Sequence, residues 1–320
     1  MDSSELYHVK QQFILGAYKP LISLALPPES SPDYVPTLVY QARAHLALND
    51  PSAALSLLPT DSEDVTIKAT SSLAHYIAAA TPPSDENSEA AEAALEELRD
   101  LIVEIEGDDL EASERDKWLV RVLAGTAFAR SGEVEEALET LGLNEDNRAS
   151  VEAVALIVQI FLSINRPDLA RREYEKCKKW AEDDLLLQLI ESTINLVTGK
   201  EGYSDCNSFY TEQLANPSLS STKLLTARGV TRLLRGEVSE AKSDLEEAIS
   251  QGGADGETVA AYAVAATLRP SKKGEGDEWW SKLTQEFPNH PLVNDVSEKA
   301  GLFDEAAAKF NVPSLPTVTV

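Results

Sequence analysis

One stretch of the chain contains the same pattern twice. Residues 118–178 read WLVRVLAGTAFARSGEVEEALETLGL and then, past a short link, VEAVALIVQIFLSINRPDLARREYEKCK. Aligned on Ala137 and Ala170, the two copies are offset by 33 residues. Gly125 and Val158 lie 12 residues before those alanines, Phe128 and Phe161 follow three residues later, and Leu141 and Tyr174 lie four past them. Between each phenylalanine and its alanine sits a polar breaker, SGE in one copy and NRPD in the other. A period of roughly 34 residues with this layout is that of a tetratricopeptide-type helix hairpin.

The residue types fit that geometry. Two antiparallel helices approach closely near their turn if the facing positions are small, as at Gly125 and Ala137. Phe128 and Leu141 then fill the wedge where the helices diverge. Pro167 stops the helix before it and restricts Arg166, while Asp168 favours the exposed N–H groups that begin the next helix. Such a hairpin cannot bury its apolar face alone, so hairpins stack.

The frame recurs along the chain. Ala42 and Ala54 are 12 apart around an Asn49–Asp50–Pro51 breaker, and Ala137 and Ala241 are 104 apart, about three repeats. The reading is one all-α domain over 1–310, a right-handed TPR-like α-solenoid superhelix. Its hairpins are expected at about 4–27, 35–58, 63–105, 114–143, 151–180, 184–215, 222–250 and 256–287. Residues 291–310 read as a capping helix and 311–320 as a flexible tail. TPPSDENS (81–88), GDDLEASE (107–114), QGGADGE (251–257) and PSKKGEG (270–276) read as breaks, with Ser113 as a helix cap.

Charge narrows the function. With 28 Lys and Arg against 54 Asp and Glu, the net charge is −26, which repels nucleic acid and anionic lipid. The one basic cluster, Arg171, Arg172, Lys176, Lys178 and Lys179, reads as a solvated helix face. No apolar run is long enough for a membrane span, and the acidic, polar opening MDSSELYHVKQQF does not read as a signal peptide. Cys177 and Cys206 form no CxxC pair, so the expectation is a reduced, cytoplasmic setting.

No catalytic or cofactor motif stands out. GKEG and KKGEG lack the phosphate-loop spacing, and neither HExxH nor a Cys/His quartet is present. His45 takes the position of Phe128 in the repeat and reads as packing; His8, His75 and His290 are scattered. Trp279 and Trp280 read as one ring in the core and one at its edge, or as a partner anchor. The expectation is a non-enzyme with no cofactor and no metal. First helices of stacked hairpins line a concave surface. In this frame the groove positions are Val39, Arg43, Leu46, Leu119, Val122, Thr126, Ala155, Gln159, Leu162, Thr226, Val230 and Leu233.

Three segments carry a more specific likeness. They are ELYHVKQQFILGAYKPLI at the start, VEAVALIVQIFLSINRPDLARREYEKCKKWAEDDLLLQL in the middle and NHPLVNDVSEKAGLFDEAAAKF near the end. Together they resemble the coatomer epsilon subunit family over nearly the whole chain, departing from it at TPPSDENS and PSKKGEG. The resemblance implies a non-enzymatic subunit of the COPI vesicle coat, acting in Golgi-to-ER retrograde and intra-Golgi transport. It implies that the groove binds and stabilises the C-terminal domain of the coatomer alpha subunit, with the beta-prime subunit in the same subcomplex. It further implies a cytoplasmic protein that meets Golgi and vesicle membranes only peripherally, through the coat. The other reading is a vesicle-traffic adaptor of the soluble NSF attachment protein type, which would need a basic surface of which this acidic chain offers little.

Overall fold

Helices pair where the repeat frame places them. In the computed structural model, α1 (Ser4–Ile14) pairs with α2 (Tyr18–Ile22), α3 (Tyr34–Ala47) with α4 (Pro51–Leu57), and α5 (Val65–Ala80) with α6 (Asp85–Glu106). α7 (Glu114–Ser131) and α8 (Val134–Thr140), then α9 (Val151–Ser163) and α10 (Pro167–Ala181), form the two copies at the centre of the chain. α11 (Leu185–Thr198), α12 (Gly202–Leu214), α13 (Thr222–Leu234), α14 (Val238–Ser250), α15 (Gly256–Leu268), α16 (Glu275–Glu286) and α17 (Pro291–Ala308) complete the order. The structure describes residues 3–80, 85–107, 112–145, 149–199, 201–252 and 255–310, the side chains of 85–87 excepted. No strand occurs among them. Parts of the breaks expected at 81–88, 107–114 and 251–257, namely 81–84, 108–111 and 253–254, and the tail 311–320 lie outside the described residues. α6 begins at Asp85, inside the stretch read as a break.

The turns repeat one construction. The amides of Ala17, Asp50, Glu133, Arg166 and Glu237 donate to the carbonyls of Gln12, His45, Phe128, Phe161 and Arg232. Each bond spans five residues and closes the first helix on itself, as in a Schellman ending. His45 thus stands where Phe128 and Phe161 stand. The residue that turns the chain is left-handed each time: Gly16, Asn49, Gly132, Asn165 and Gly236 have φ of 71°, 59°, 93°, 58° and 79°. Asparagine tolerates that region through its short polar side chain, and glycine through having none.

Close packing of the hairpins explains the small residues. A Cβ on Gly125 would lie 2.8 Å from Leu141 Cγ, and one on Gly229 would lie 2.9 Å from Leu245 Cγ. Ala137, Ala170 and Ala241 are fully buried, as are Leu141 and Leu245. Caps fix where helices start: Ser113 Oγ accepts from Asp116 N, Ser150 Oγ from Ala153 N, and Asp184 Oδ1 from Leu186 N.

Contacts group the chain into two compact units, Met1–Leu224 and Leu225–Val320, where the repeat frame leads to one continuous array. The first unit has a core running through the hairpins from α3 to α11. It also closes on itself. α1 touches α11, Ser221 Oγ donates to Leu15 O at 2.6 Å, and Gln12 Nε2 reaches Ser218 O at 3.5 Å. Each of these bonds joins residues 206 apart. A Cβ on Gly16 would lie 2.9 Å from Lys223 Cβ, so this contact tolerates only glycine.

The second unit has its own clusters, one around Leu245, Tyr262, Ala265 and Ala266 and another around Val259, Ala260, Leu283 and Val293. Trp279 packs on both and lies 4.5 Å from the Tyr262 ring, while Trp280 packs on the second. Both rings are therefore half-buried packing groups. Asp244 accepts from Arg228 and Arg232, tying α13 to α14. Lys242 Nζ meets Glu275 at 3.0 Å, with side chains only 8% and 7% exposed. Glu275 also accepts from Ser271 N and from the Tyr262 hydroxyl, so the PSKKGEG segment is held from inside.

α17 is present as expected, but its packing is limited to its start. Leu292 and Val293 join the second cluster, His290 Nδ1 caps the helix by accepting from Leu292 N, and residues 294–310 are exposed.

Candidate partner-binding cavity

Inside the first unit, the beginnings of α3, α5, α7, α9 and α11 converge on a cavity of about 610 Å³. These are the first helices of successive hairpins, and stacking brings their N-terminal ends to one place. Val39, Trp118, Leu119, Val122 and Leu186 form its apolar wall, with Ile14 reaching in from α1. Lys10, Arg115, Asp116, Glu152 and Asp184 supply charge. Ser113, Ser150 and Asp184 each accept from one of the N–H groups that open α7, α9 and α11.

A polar strut crosses from α3 to α9 at this cavity. Glu152 accepts from the Tyr40 hydroxyl at 3.2 Å and pairs with Arg43 Nη2. The guanidinium lies 4.5 Å from the Phe13 ring centre, so three elements meet there. Burial alone would push the Glu152 carboxyl up. The charge and hydrogen bond of Arg43, together with the Tyr40 hydroxyl, outweigh it and hold the group below the usual carboxylate range. The Tyr40 hydroxyl is pushed up, first by burial and then by the Glu152 charge. Nη1 of Arg43 is buried with no hydrogen-bond partner among the described residues.

The expected groove residues divide into three sets. Val39, Leu119 and Val122 line the cavity, and Arg43 forms the strut beside it. Leu46 is buried in the core, Ala155 and Leu162 pack against that core, Thr126 donates to Val122 O, and Gln159 is exposed on α9. Thr226, Val230 and Leu233 belong to the second unit. There Thr226 bonds Thr258 at 2.8 Å, Leu233 packs on the Leu245 cluster, and Val230 is half-buried. The repeat frame located first-helix positions but could not resolve which turn of each helix reaches the cavity. Trp118, Val151, Glu152 and Leu186 at the helix starts were missed for that reason. Glu152 reads locally as an ordinary first-turn acid, and its partner lies 109 residues away.

The reactive groups are sequestered. Both cysteines are free and buried, and the Cys206 thiol is pushed up to about 11, chiefly by burial. Among the described residues no group of three or more His, Cys, Asp or Glu could hold a metal, and no helix is long and apolar enough to cross a membrane. The basic cluster on α10 is partly spent on its own surroundings. Arg171 donates to Asn195, Lys176 pairs with Glu173, and Lys178 lies over the Tyr174 ring.

Stacked hairpins with slender residues at the crossings and left-handed turns define a TPR-like α-solenoid. A solved tetratricopeptide repeat protein from Parabacteroides merdae shares this fold, with a TM-score of 0.53 at 13% identity over 87% of this chain and 96% of that one. The family profile described as coatomer epsilon subunit matches residues 2–311, and the chain belongs to that family. Coatomer subunit epsilon-1 of Arabidopsis thaliana is 26% identical over 307 residues, covering 95% of this chain and 97% of the relative. The probable coatomer subunit epsilon of Schizosaccharomyces pombe is 27% identical over 312 residues, covering 96% of each. A coat subunit on a TPR-like scaffold is not of a known enzyme family, and vesicle transport follows from membership of the coat.

Proposed function

We propose that the chain binds the C-terminal domain of the coatomer alpha subunit and stabilises it, with the beta-prime subunit in the same subcomplex. In this role it serves Golgi-to-ER retrograde and intra-Golgi transport, on Golgi and vesicle membranes that it meets only through the coat. The observation that supports this reading is the cavity inside the self-closed first unit, where an apolar wall faces charged side chains. Val39, Trp118, Leu119 and Val122 offer a wall that an extended or hairpin segment can fill, and the guest's backbone can bond to the polar groups around it. The first unit's closure makes such a site pre-organised, which lowers the cost of binding.

Leu119→Asp places a carboxylate in the apolar wall. The expected result is at least a tenfold loss of affinity for the purified alpha C-terminal domain, about 1.4 kcal/mol or more, with the unfolding midpoint of the free chain kept within a few degrees. Unchanged affinity in folded protein would remove the cavity as the alpha site.

A further inference from the structure

The first helices of the first unit close into a ring. α1, α3, α5, α7, α9 and α11 touch in that order, and α11 touches α1 again. All six line the cavity, with Lys10 and Ile14 contributed by α1. A socket that packs around its guest on every side must widen to admit it, because well-packed surfaces leave no slack. A ring widens at its weakest joint, and these six joints are unequal.

The joints from α3 round to α11 share one continuous apolar core. α1 is joined to α3 by a second cluster, Leu6, Val9, Leu21, Tyr40 and Ala44, with Phe13 packed against it. Neither cluster spans α11 and α1. There the ring is held by hydrogen bonds between the end of α1 and residues 218–221. Ser221 Oγ donates to Leu15 O, and Gln12 Nε2 reaches Ser218 O at 3.5 Å, the far limit of a hydrogen bond. Gln12 Oε1 is buried with no hydrogen-bond partner among the described residues. When this joint parts, water takes over both bonds and satisfies the orphan oxygen. When any other joint parts, apolar surface meets water. Opening is therefore least costly between α1 and α11, and it carries Lys10 and Ile14 out of the cavity wall.

We propose that this joint is the gate of the cavity. α1 and α2 swing outward on their apolar contact with α3, the guest enters, and the joint closes behind it. On the reading that a segment of the alpha subunit fills the cavity, on which this rests, the joint governs how that segment gets in and out. A gate sets the rates of binding and release, whereas the cavity wall sets the contacts of the bound state.

The test locks the joint in the full chain. In Gly16→Cys with Lys223→Cys, the Cβ at position 16 would lie 2.9 Å from that of residue 223. A disulfide holds such atoms about 3.5–4.5 Å apart, so a relaxation of about 1 Å closes the bond. Shortening Lys223 also removes the Cγ that the new side chain would meet. The oxidised and reduced forms of this one protein share any backbone strain at position 16, where φ is 71°. Cys177 and Cys206 are buried and stay out of the exchange. Binding to the purified alpha C-terminal domain is followed by stopped flow. Oxidation before mixing is expected to slow association at least about tenfold, and oxidation after mixing to slow release by as much. Ser221→Ala, which breaks one bond of the joint, is expected to speed association about two- to tenfold. Association that is equally fast oxidised and reduced, or unmoved by Ser221→Ala, would overturn the gate. Leu119→Asp, measured alongside, separates the two failures. Binding that it weakens while the lock slows nothing removes the gate alone; binding that it leaves intact removes the cavity as the alpha site and the gate with it.

Discussion

Replacing Gly125 by leucine tests the repeat frame at its tightest point. The Cβ alone would fall 2.8 Å from Leu141 Cγ and 2.9 Å from Leu141 Cδ2, well inside van der Waals contact. Leu141 is fully buried and has nowhere to retreat. Overpacking of this kind costs about 1–3 kcal/mol, and four added carbons place it near the upper end. Leucine is a better helix former than glycine by up to about 1 kcal/mol, which leaves a net loss of about 2 kcal/mol. Leu141→Ala alone opens a cavity and costs about 3 kcal/mol. In the double variant the new leucine fills the space its neighbour vacates. The expected loss is then about 3 kcal/mol, not the sum of about 5, a coupling of about 2 kcal/mol. Urea unfolding followed at Trp118 measures it, once the other three of the four tryptophans are replaced by phenylalanine. Trp118 suits the purpose because its ring abuts Gly142 at the end of α8. Additive losses, within about 0.5 kcal/mol, would mean that Gly125 and Leu141 do not share one space and that the frame is misplaced.

Two further perturbations address the second unit and the turns. Lys242→Met strands the Glu275 charge in a buried setting and is expected to cost the second unit about 3–5 kcal/mol, read at Trp279 and Trp280. Glu275 is held at about 2 by the Ser271 amide first and the Lys242 ammonium next, against the opposing effect of burial. A carboxyl lowered on folding contributes stability that is present above its unfolded value near 4.3 and is lost as pH falls towards 2. The second unit should therefore weaken over that window in the wild type and much less in Glu275→Gln; equal acid sensitivity would contradict the assignment. At the α9–α10 turn, where Asn165 has φ of 58°, Asn165→Ala should cost about 1 kcal/mol and Asn165→Gly nearly nothing, by thermal unfolding. Equal effects would mean that the turn does not need the left-handed conformation.

The helical hairpins whose turns share the five-residue bond were legible because each carries its information locally. In the two central copies, slender residue, phenylalanine, breaker and alanine repeat within about 34 residues, and the left-handed turns at Gly16, Asn49, Gly132, Asn165 and Gly236 coincide with Gly or Asn. Ser113 and Asp168 read correctly as helix-start residues for the same reason. What stayed hidden depends on residues far apart in sequence. Nothing near Glu152 announces Arg43, and nothing near Lys242 announces Glu275, 33 positions on. The groove was legible only to the level of which helices face inward. The cavity sits at their first turns, and that placement comes from how the hairpins stack, not from any one of them. The division into two units also escaped the frame, since Gly229 and Ala241 continue the pattern on the far side of Leu224 without a change of period.

The Ser221–Leu15 bond has a consequence for how the chain is made. The two residues are 206 positions apart. A ribosome working at about 5–20 residues per second needs roughly 10–40 s to deliver the second after the first. Throughout that interval the opening helix has emerged without the surface that finally covers it, and its Gln12 and Leu15 must wait. Newborn chains thus pass through an open bracelet long before the catch arrives, and in that interval a guest could enter without forcing anything apart.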